Sequence, residues 1–149
     1  MQEKKNILML IADVQKIFHN HMRKVSDENN IVNCYRPIVF FLAHHEGMTQ
    51  LDLVKRTRLK APTISLALRK MEQEGLVKRV IDEEDARKVC VYLTDKGHDY
   101  DYKMRSLVKE AETQVLSKID ENDKIELERI LKKLIDVMCQ EFGEYNEDI

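Results

Sequence analysis

The stretch that most restricts the fold is Lys60-Ala-Pro-Thr-Ile-Ser-Leu-Ala-Leu-Arg-Lys-Met-Glu-Gln-Glu-Gly75, because a helix starter and a helix stopper bracket it. Proline has no N–H to lose in a first helical turn, and its fixed φ suits that position. The residue before a proline is pushed out of helical geometry, so Ala61 marks the boundary. Ile64, Leu68 and Met71 recur at helical spacing and form one buried stripe. Gly75 supplies the left-handed residue that ends such a helix, predicting a helix over 62–74. Its opposite face carries Thr63, Ser65, Leu66, Arg69 and Lys70, a front of hydroxyls and cations around one leucine.

A shorter amphipathic stretch precedes it. Thr49 is a good N-cap, with Asp52 placed as in a capping box, and Leu51, Val54 and Leu59 supply the apolar positions. Only Thr57-Arg58-Leu59-Lys60 separates the two helices, a helix-turn-helix spacing without the usual turn glycine. Two β-branched runs follow, Val77–Ile81 and Lys88–Thr94, around a polar hairpin tip at Asp82–Arg87. In the second run Val89, Val91 and Leu93 are expected on one face and Cys90 and Tyr92 on the other. A helix-turn-helix followed by a hairpin is a winged helix.

The ordered set Gly47-Met-Thr-Gln-Leu-Asp-Leu53, Pro62-Thr-Ile-Ser65, Met71-Glu-x-x-Gly-Leu-Val-x-Arg79, Asp85-Ala-Arg87 and Leu93-Thr-Asp-Lys-Gly97 resembles the MarR family, the multiple-antibiotic-resistance-type regulators. The resemblance rests on the whole set across the central third of the chain. It implies a sequence-specific regulator of transcription, most commonly a repressor. It also implies a homodimer joined by N- and C-terminal helices, with two winged domains facing double-stranded DNA.

The chain's net charge of −2 hides a local imbalance. From Lys55 to Arg79 there are eight cations (Lys55, Arg56, Arg58, Lys60, Arg69, Lys70, Lys78, Arg79) and two anions (Glu72, Glu74), so this segment is +6 on an acidic body. Charge runs are usually solvated faces, but a basic patch on a helix-turn-helix is the footprint of a phosphate-binding surface. No run of apolar residues is long enough for a membrane span, no signal-peptide pattern follows Met1, and three scattered cysteines fit a reducing compartment. A cytoplasmic protein with no membrane partner is expected.

Flanking segments read as helices. Over 5–24, Ile7, Leu10, Ile11, Val14, Ile17, Phe18, His21 and Met22 make one wide apolar stripe, and Ser26–Asn30 reads as a loop. Asn33 is a candidate cap for the next helix, with Pro37 in its first turn and Ile38–Ala43 as a core segment ending near Gly47. Thr94 can cap a long helix carrying Tyr100, Met104, Leu107, Val108, Ala111, Val115 and Ile119. Asp120 and Asp123 resemble a capping box for a last helix with Leu127, Ile130, Leu131, Leu134, Val137, Met138 and Phe142, before a frayed tail at 143–149. The fold class is therefore mainly α with a small β-hairpin wing. The expected division is 1–30 and 95–149 for dimerisation and 31–94 for the winged helix-turn-helix. The terminal stripes are wider than a thin monomer covers, and a two-fold dimer predicts a pseudo-palindromic operator.

The resemblance places the 62–74 helix in the major groove. Arg69 and Lys70 there reach phosphates or guanine edges, and Thr63 and Ser65 reach bases or phosphates. Leu66, where many relatives carry a cation, is either a thymine-methyl contact or a partly buried edge. Lys60 stands where the family often has a Ser or Thr cap; its charge opposes the helix dipole unless a phosphate is near. The wing tip is similar to the family's acidic-x-basic turn, in which Asp85 would brace Arg87 for the minor groove. The arginine usual before that aspartate is Glu84 here. The candidate DNA contacts are Thr49, Lys60, Pro62, Thr63, Ser65, Leu66, Arg69, Lys70, Arg79, Asp85, Arg87 and Lys88, with Arg79 and Lys88 as backbone contacts or hairpin supports.

The family commonly releases DNA in response to a small molecule, a metal or an oxidant, through a shift between two dimer states. The corresponding candidates are Phe18, Met22, Cys34, Tyr35, Phe41 and His44, with Phe40 as an alternative to Phe41; all are also ordinary core residues by spacing. His44-His45-Glu46, with His19, His21 and His98, is a metal candidate, but adjacent histidines on a helix diverge by about 100 degrees, and no metal ligand is assigned. Cys34 is an oxidant-sensor candidate beside Tyr35, with Arg36 the one nearby cation in sequence, while Cys90 and Cys139 read as small core residues. No phosphate-cradling loop, metal motif or nucleophile–base pair supports an enzyme, and no cofactor is implied. The alternative is a winged helix used for protein–protein contact, which would explain Leu66 but explains the basic patch and the Asp85-Ala-Arg87 wing less well.

Overall fold

In the structure, a computed structural model, residues Lys5–Thr57 and Leu59–Gly143 are described; residues 1–4, Arg58 and the tail beyond Gly143 lie outside the described residues. The order is α1 (Ile7–Glu28), α2 (Tyr35–His44), β1 (Met48–Thr49), α3 (Gln50–Thr57), α4 (Ala61–Gln73), β2 (Val77–Ile81), β3 (Val89–Leu93), α5 (Asp95–Leu116) and α6 (Glu121–Phe142). The chain forms two compact units, Met1–Val108 and Lys109–Ile149, with the division inside α5. None of the helices is long and apolar enough to cross a membrane among the described residues.

The first unit holds the core. Ile64, Leu68 and Met71 of α4 are fully buried, as their spacing predicts, and Ala67 joins them. They pack in one cluster with Tyr35, Ile38, Val39 and Leu42 of α2, Leu53 of α3, and Val77, Val91 and Leu93 of the sheet. The sheet has three strands in the order β1-β3-β2, all antiparallel, one more than the expected hairpin. Met48 pairs with Val91 and Thr49 with Cys90, so the strand that leads into α3 is stitched to the wing. The alternation expected along β3 holds only in part. Val91 and Leu93 face the core, but Val89 is exposed near the tip and Cys90 is buried.

The end of α1 and the start of α2 differ from expectation, while α4 ends at Gly75 as expected. Helix α1 does not stop before Ser26 but runs to Glu28, and Ser26 is buried. Asn30 then adopts φ +57, the Ile31 N–H donates to the Ser26 carbonyl at 2.8 Å and the Asn30 N–H to Asp27 at 3.3 Å. This is a Schellman end with asparagine in the glycine role. Helix α4 ends the same way with Gly75 at φ +74, where Leu76 N–H reaches the Met71 carbonyl at 2.8 Å and Gly75 N–H reaches Glu72 at 3.1 Å. Helix α2 starts from Cys34 with no side-chain cap, so Asn33 does not cap it; the Asn33 carbonyl instead accepts from Arg36 N–H at 3.4 Å. Ile119 falls beyond the end of α5.

Thr94-Asp-Lys-Gly97 locks the end of α4 to the start of α5. The Thr94 hydroxyl donates to the Gly75 carbonyl at 2.5 Å and accepts from Gly97 N–H at 3.1 Å, capping α5 as expected. Lys96 Nζ donates to the Glu74 carbonyl at 2.7 Å, and Thr94 N–H donates to Leu76 at 3.0 Å. A methyl group on Gly97 would lie 2.1 Å from the Leu76 carbonyl oxygen, so only glycine fits.

In the second unit, Asp120 caps α6 by accepting from Asn122 N–H at 2.9 Å. One side of α6 is laced by Glu126–Arg129 and Glu128–Lys132 ion pairs. No residue of α6 is buried, and Leu127, Ile130, Val137 and Phe142 are all exposed, Phe142 at 81%.

Replacing Gly97 with alanine is expected to destabilise the chain by about 2 kcal/mol or more, since overpacking against backbone forces both segments to move. Gly75→Ala, where a side chain meets open space, is expected to cost only the left-handed penalty of about 1 kcal/mol. Urea unfolding of both variants checks this; equal losses would contradict it.

Candidate nucleic-acid interface

Helix α4 turns its stripe inward, which fixes what it shows outward. Pro62, Thr63, Leu66, Arg69 and Lys70 are exposed and Ser65 is half-buried. Lys60 stands at the N-cap with extended backbone and no side-chain cap. Its carbonyl accepts from Ile64 N–H at 3.1 Å, but the N–H groups of the first turn receive nothing from the lysine side chain. Pro62 removes one donor from that turn. What remains is a positive helix end at Lys60, with two further exposed cations, Arg69 and Lys70, toward the other end of the helix.

The wing tip is built by short aspartate turns. Asp82 Oδ1 accepts from the N–H groups of Glu84 at 2.9 Å and Asp85 at 3.0 Å. Asp85 Oδ1 then accepts from the Arg87 N–H at 3.0 Å and from its guanidinium Nε at 3.1 Å. The Arg87 side chain is nonetheless 92% exposed. The guanidinium and amide of Arg87 hold the Asp85 carboxyl below its ordinary range. The tip therefore holds an arginine in one orientation while leaving its outer edge in solvent.

Other candidates are engaged within the protein. The Thr49 hydroxyl donates to Asp52 Oδ2 at 2.6 Å and accepts from Asp52 N–H at 3.2 Å, and Thr49 N–H donates back to Oδ2 at 2.9 Å. This reciprocal capping box matches the sequence expectation and turns Thr49 toward fold support. The Thr49 hydroxyl and amide hold the Asp52 carboxyl below its usual range. Arg79 Nε lies 3.4 Å from Glu72 Oε2, tying β2 to α4. Lys88 closes the tip through its backbone, accepting from Asp82 N–H and donating to the Asp85 carbonyl, both at 2.8 Å, and its side chain is exposed. Sequence reasoning missed the Arg79 pair and Lys96, because neither follows a local pattern.

The effector candidates serve the core or the surface separately. Tyr35 is buried and its hydroxyl donates to Glu74 Oε1 at 3.1 Å; burial, then that bond, push its phenol pKa up. Cys34 and Phe41 pack against the core cluster, Met22 is buried in α1, and Phe18 is half-buried. His44 is exposed, with Nδ1 2.8 Å from the Phe40 carbonyl and its ring 4.4 Å from that of Phe40. No group of three or more His, Cys, Asp or Glu side chains is placed to hold a metal among the described residues.

Residues 38–89, from α2 to the wing, match the profile of the MarR family. The HTH-type transcriptional regulator BilQ of Clostridium symbiosum is 30% identical over 96 residues, 64% of this chain and 67% of that protein. The chain belongs to the MarR family. The homoprotocatechuate degradative operon repressor of Escherichia coli is 26% identical over 130 residues, 87% of this chain and 88% of its own. Among solved structures, MepR, a transcription regulator of a Staphylococcus aureus multidrug efflux pump, superposes with a TM-score of 0.79 at 22% identity, over 90% of this chain and 99% of that one. A MepR mutant bound to an oligodeoxyribonucleotide superposes at 0.66 with 23% identity, over 91% and 99%. MarR-family proteins are DNA-binding transcription regulators rather than enzymes, and their winged helix-turn-helix is the fold seen here.

For this MarR-family chain the capping box makes a testable link between pH and fold. Asp52 has a lowered folded pKa, so its contribution is present above the unfolded carboxylate value of about 3.9 and is lost as pH falls through the folded one. Thr49→Ala is expected to cost about 1 kcal/mol at neutral pH and to flatten that acid limb of the stability curve. Denaturant titrations from neutral to acid pH measure both, and an unchanged acid limb would sink the assignment.

Proposed function

We propose that this MarR-family chain is a repressor that binds a pseudo-palindromic operator as a homodimer in the cytoplasm, with α4 in the major groove and the wing tip in the minor groove. The observation that carries the proposal is the pairing of two outward-facing elements on one winged helix. Helix α4 shows hydroxyls and Lys60 at a positive N-terminus and Arg69 and Lys70 farther along the same exposed face, and the tip shows an aspartate-braced arginine. Phosphates contacted by Lys60, Arg69 and Lys70 set position, while Thr63, Ser65 and Arg69 reach base edges. Arg87 suits a narrow minor groove. Thr49, Arg79 and Asp85 act by holding these elements.

Residues 31–94 form the DNA-binding part, and 1–30 and 95–149 join two copies. Support for the dimer comes from each terminal helix by itself. Helix α1 exposes Ile7, Leu10, Val14 and Ile17, Ile17 at 71%, and α6 exposes its own apolar row. Scattered apolar residues are normal on a surface, but rows of this length on a helix mark association. A second copy of the chain covers them, and two-fold symmetry sets two half-sites about one helical turn apart. Release by an effector, whether small molecule, metal or oxidant, would act by changing the separation of the two winged parts.

The test is binding of the purified chain to its own upstream intergenic DNA and to scrambled DNA at two salt concentrations. Wild type is expected to prefer the native sequence by at least about a hundredfold, with a steep salt slope. Arg69→Ala with Lys70→Ala, and Arg87→Ala alone, should each weaken binding about tenfold or more while leaving thermal stability unchanged. Weak, salt-insensitive, sequence-indifferent binding, with no palindrome returned by selection from random DNA, would overturn the proposal in favour of a protein partner.

A further inference from the structure

We propose that Leu66 reads the 5-methyl group of a thymine in each half-site, an inference that rests on the DNA-binding reading above. Leu66 is 51% exposed in the middle of α4, whereas Ile64, Ala67, Leu68 and Met71 on the same helix are buried to within 2%. It is therefore not an edge of the core. Its surface neighbours are Thr63 one turn before and Arg69 and Lys70 one turn after, all exposed, so a large apolar side chain sits in the centre of a polar and cationic strip. A leucine there leaves apolar area in water that a solvated face would not need, and it cannot exchange hydrogen bonds with a base edge.

The major groove offers such a side chain one apolar group, the thymine methyl; the other base edges present donors and acceptors. Leucine pressed against a cytosine amino group or a guanine carbonyl would strip water from it and return no hydrogen bond. Leu66 thus favours thymine and disfavours the other bases at the same point. The helix rise of about 1.5 Å per residue puts Leu66 about 4.5 Å along α4 from Thr63 and about 6 Å from Lys70. With about 3.4 Å between base pairs, the thymine lies one or two steps from the bases met by those side chains. The cations cannot substitute for this contact, because a charged donor pairs with phosphates and guanine edges and gains nothing from a methyl group.

The test uses the operator that wild-type chain selects from random DNA. Each thymidine of a half-site is replaced in turn by deoxyuridine, in both half-sites symmetrically, which deletes the methyl and leaves every hydrogen-bonding group. One position is expected to weaken wild type about fourfold per half-site, the worth of one buried methyl-sized group. Leu66→Ala should bind the thymidine operator as weakly as wild type binds the deoxyuridine one and should lose the deoxyuridine effect at that position. Leu66→Met, which keeps an apolar reach, should retain most of it. Melting temperatures of both variants should match wild type, since the side chain is exposed. Three results would overturn the inference. Wild type could bind its operator with a steep salt slope yet be indifferent to every methyl, in which case only the role of Leu66 falls. Leu66→Ala could keep the full deoxyuridine penalty, which assigns the methyl to another residue. Wild type could select no sequence at all, in which case the DNA reading falls first and this one with it.

Discussion

The contact on which the winged part depends is the approach of Gly97 to the Leu76 carbonyl. At that point the end of α4, the start of β2, the end of β3 and the start of α5 converge. Backbone carbonyls at a helix end must find donors, and here four of them are met by three devices. Met71 and Glu72 are met by the Schellman turn, Glu74 by the Lys96 ammonium, and Gly75 by the Thr94 hydroxyl. The absence of a side chain at position 97 lets α5 come close enough for Thr94 to cap both helices. Glu74 is also held through its carboxylate by Tyr35 from α2. With its C-terminus fixed by three neighbours, α4 presents its N-terminal face and the wing from one frame.

That frame sorts the charged residues by availability. Arg79 is paired with Glu72 and braces the wing against α4, and Asp52 is used by the Thr49 cap. Lys60, Arg69 and Lys70 project from the helix, and Arg87 projects from a tip whose turns are formed by Asp82 and Asp85. An exposed Asp–Arg pair adds little stability, about 0–1 kcal/mol. In the proposed complex its value would be orientation, since a restrained guanidinium loses less freedom on entering a groove. The lysine in place of an N-cap fits the same logic, because the helix end it leaves uncapped carries a positive potential.

Much of this was legible in the sequence. Pro62, Gly75 and the Ile64–Leu68–Met71 spacing locate α4 within one residue, and β-branched runs locate both wing strands. Caps at Thr49, Thr94 and Asp120 behave as their residue types predict. The misses have physical reasons. Strand β1 is two residues long and carries no period, so only its pairing with β3 reveals it. Asn30 in a left-handed conformation looks like a loop residue but ends α1 as glycine would. Asp101, buried on α5 and bonded to Arg105 at 2.8 Å, lies on a helix otherwise read from its apolar spacing. For the effector candidates, periodicity marks a pocket-lining phenylalanine and a core phenylalanine alike. Tyr35 illustrates this, being a core residue that anchors the end of α4.

The proposed function rests on one surface, so the most direct measurement maps that surface in solution. Amide hydrogen exchange of the full chain should be followed with and without saturating operator DNA. Slowed exchange is expected in the first two turns of α4 and across the tip at 82–88, with α6 unchanged, since in the proposed dimer its apolar row is covered before DNA binds. Slowing confined to α1 or α6, or to α4 with the tip left as fast as in free protein, would contradict the account of α4 and the wing as a single DNA-reading surface.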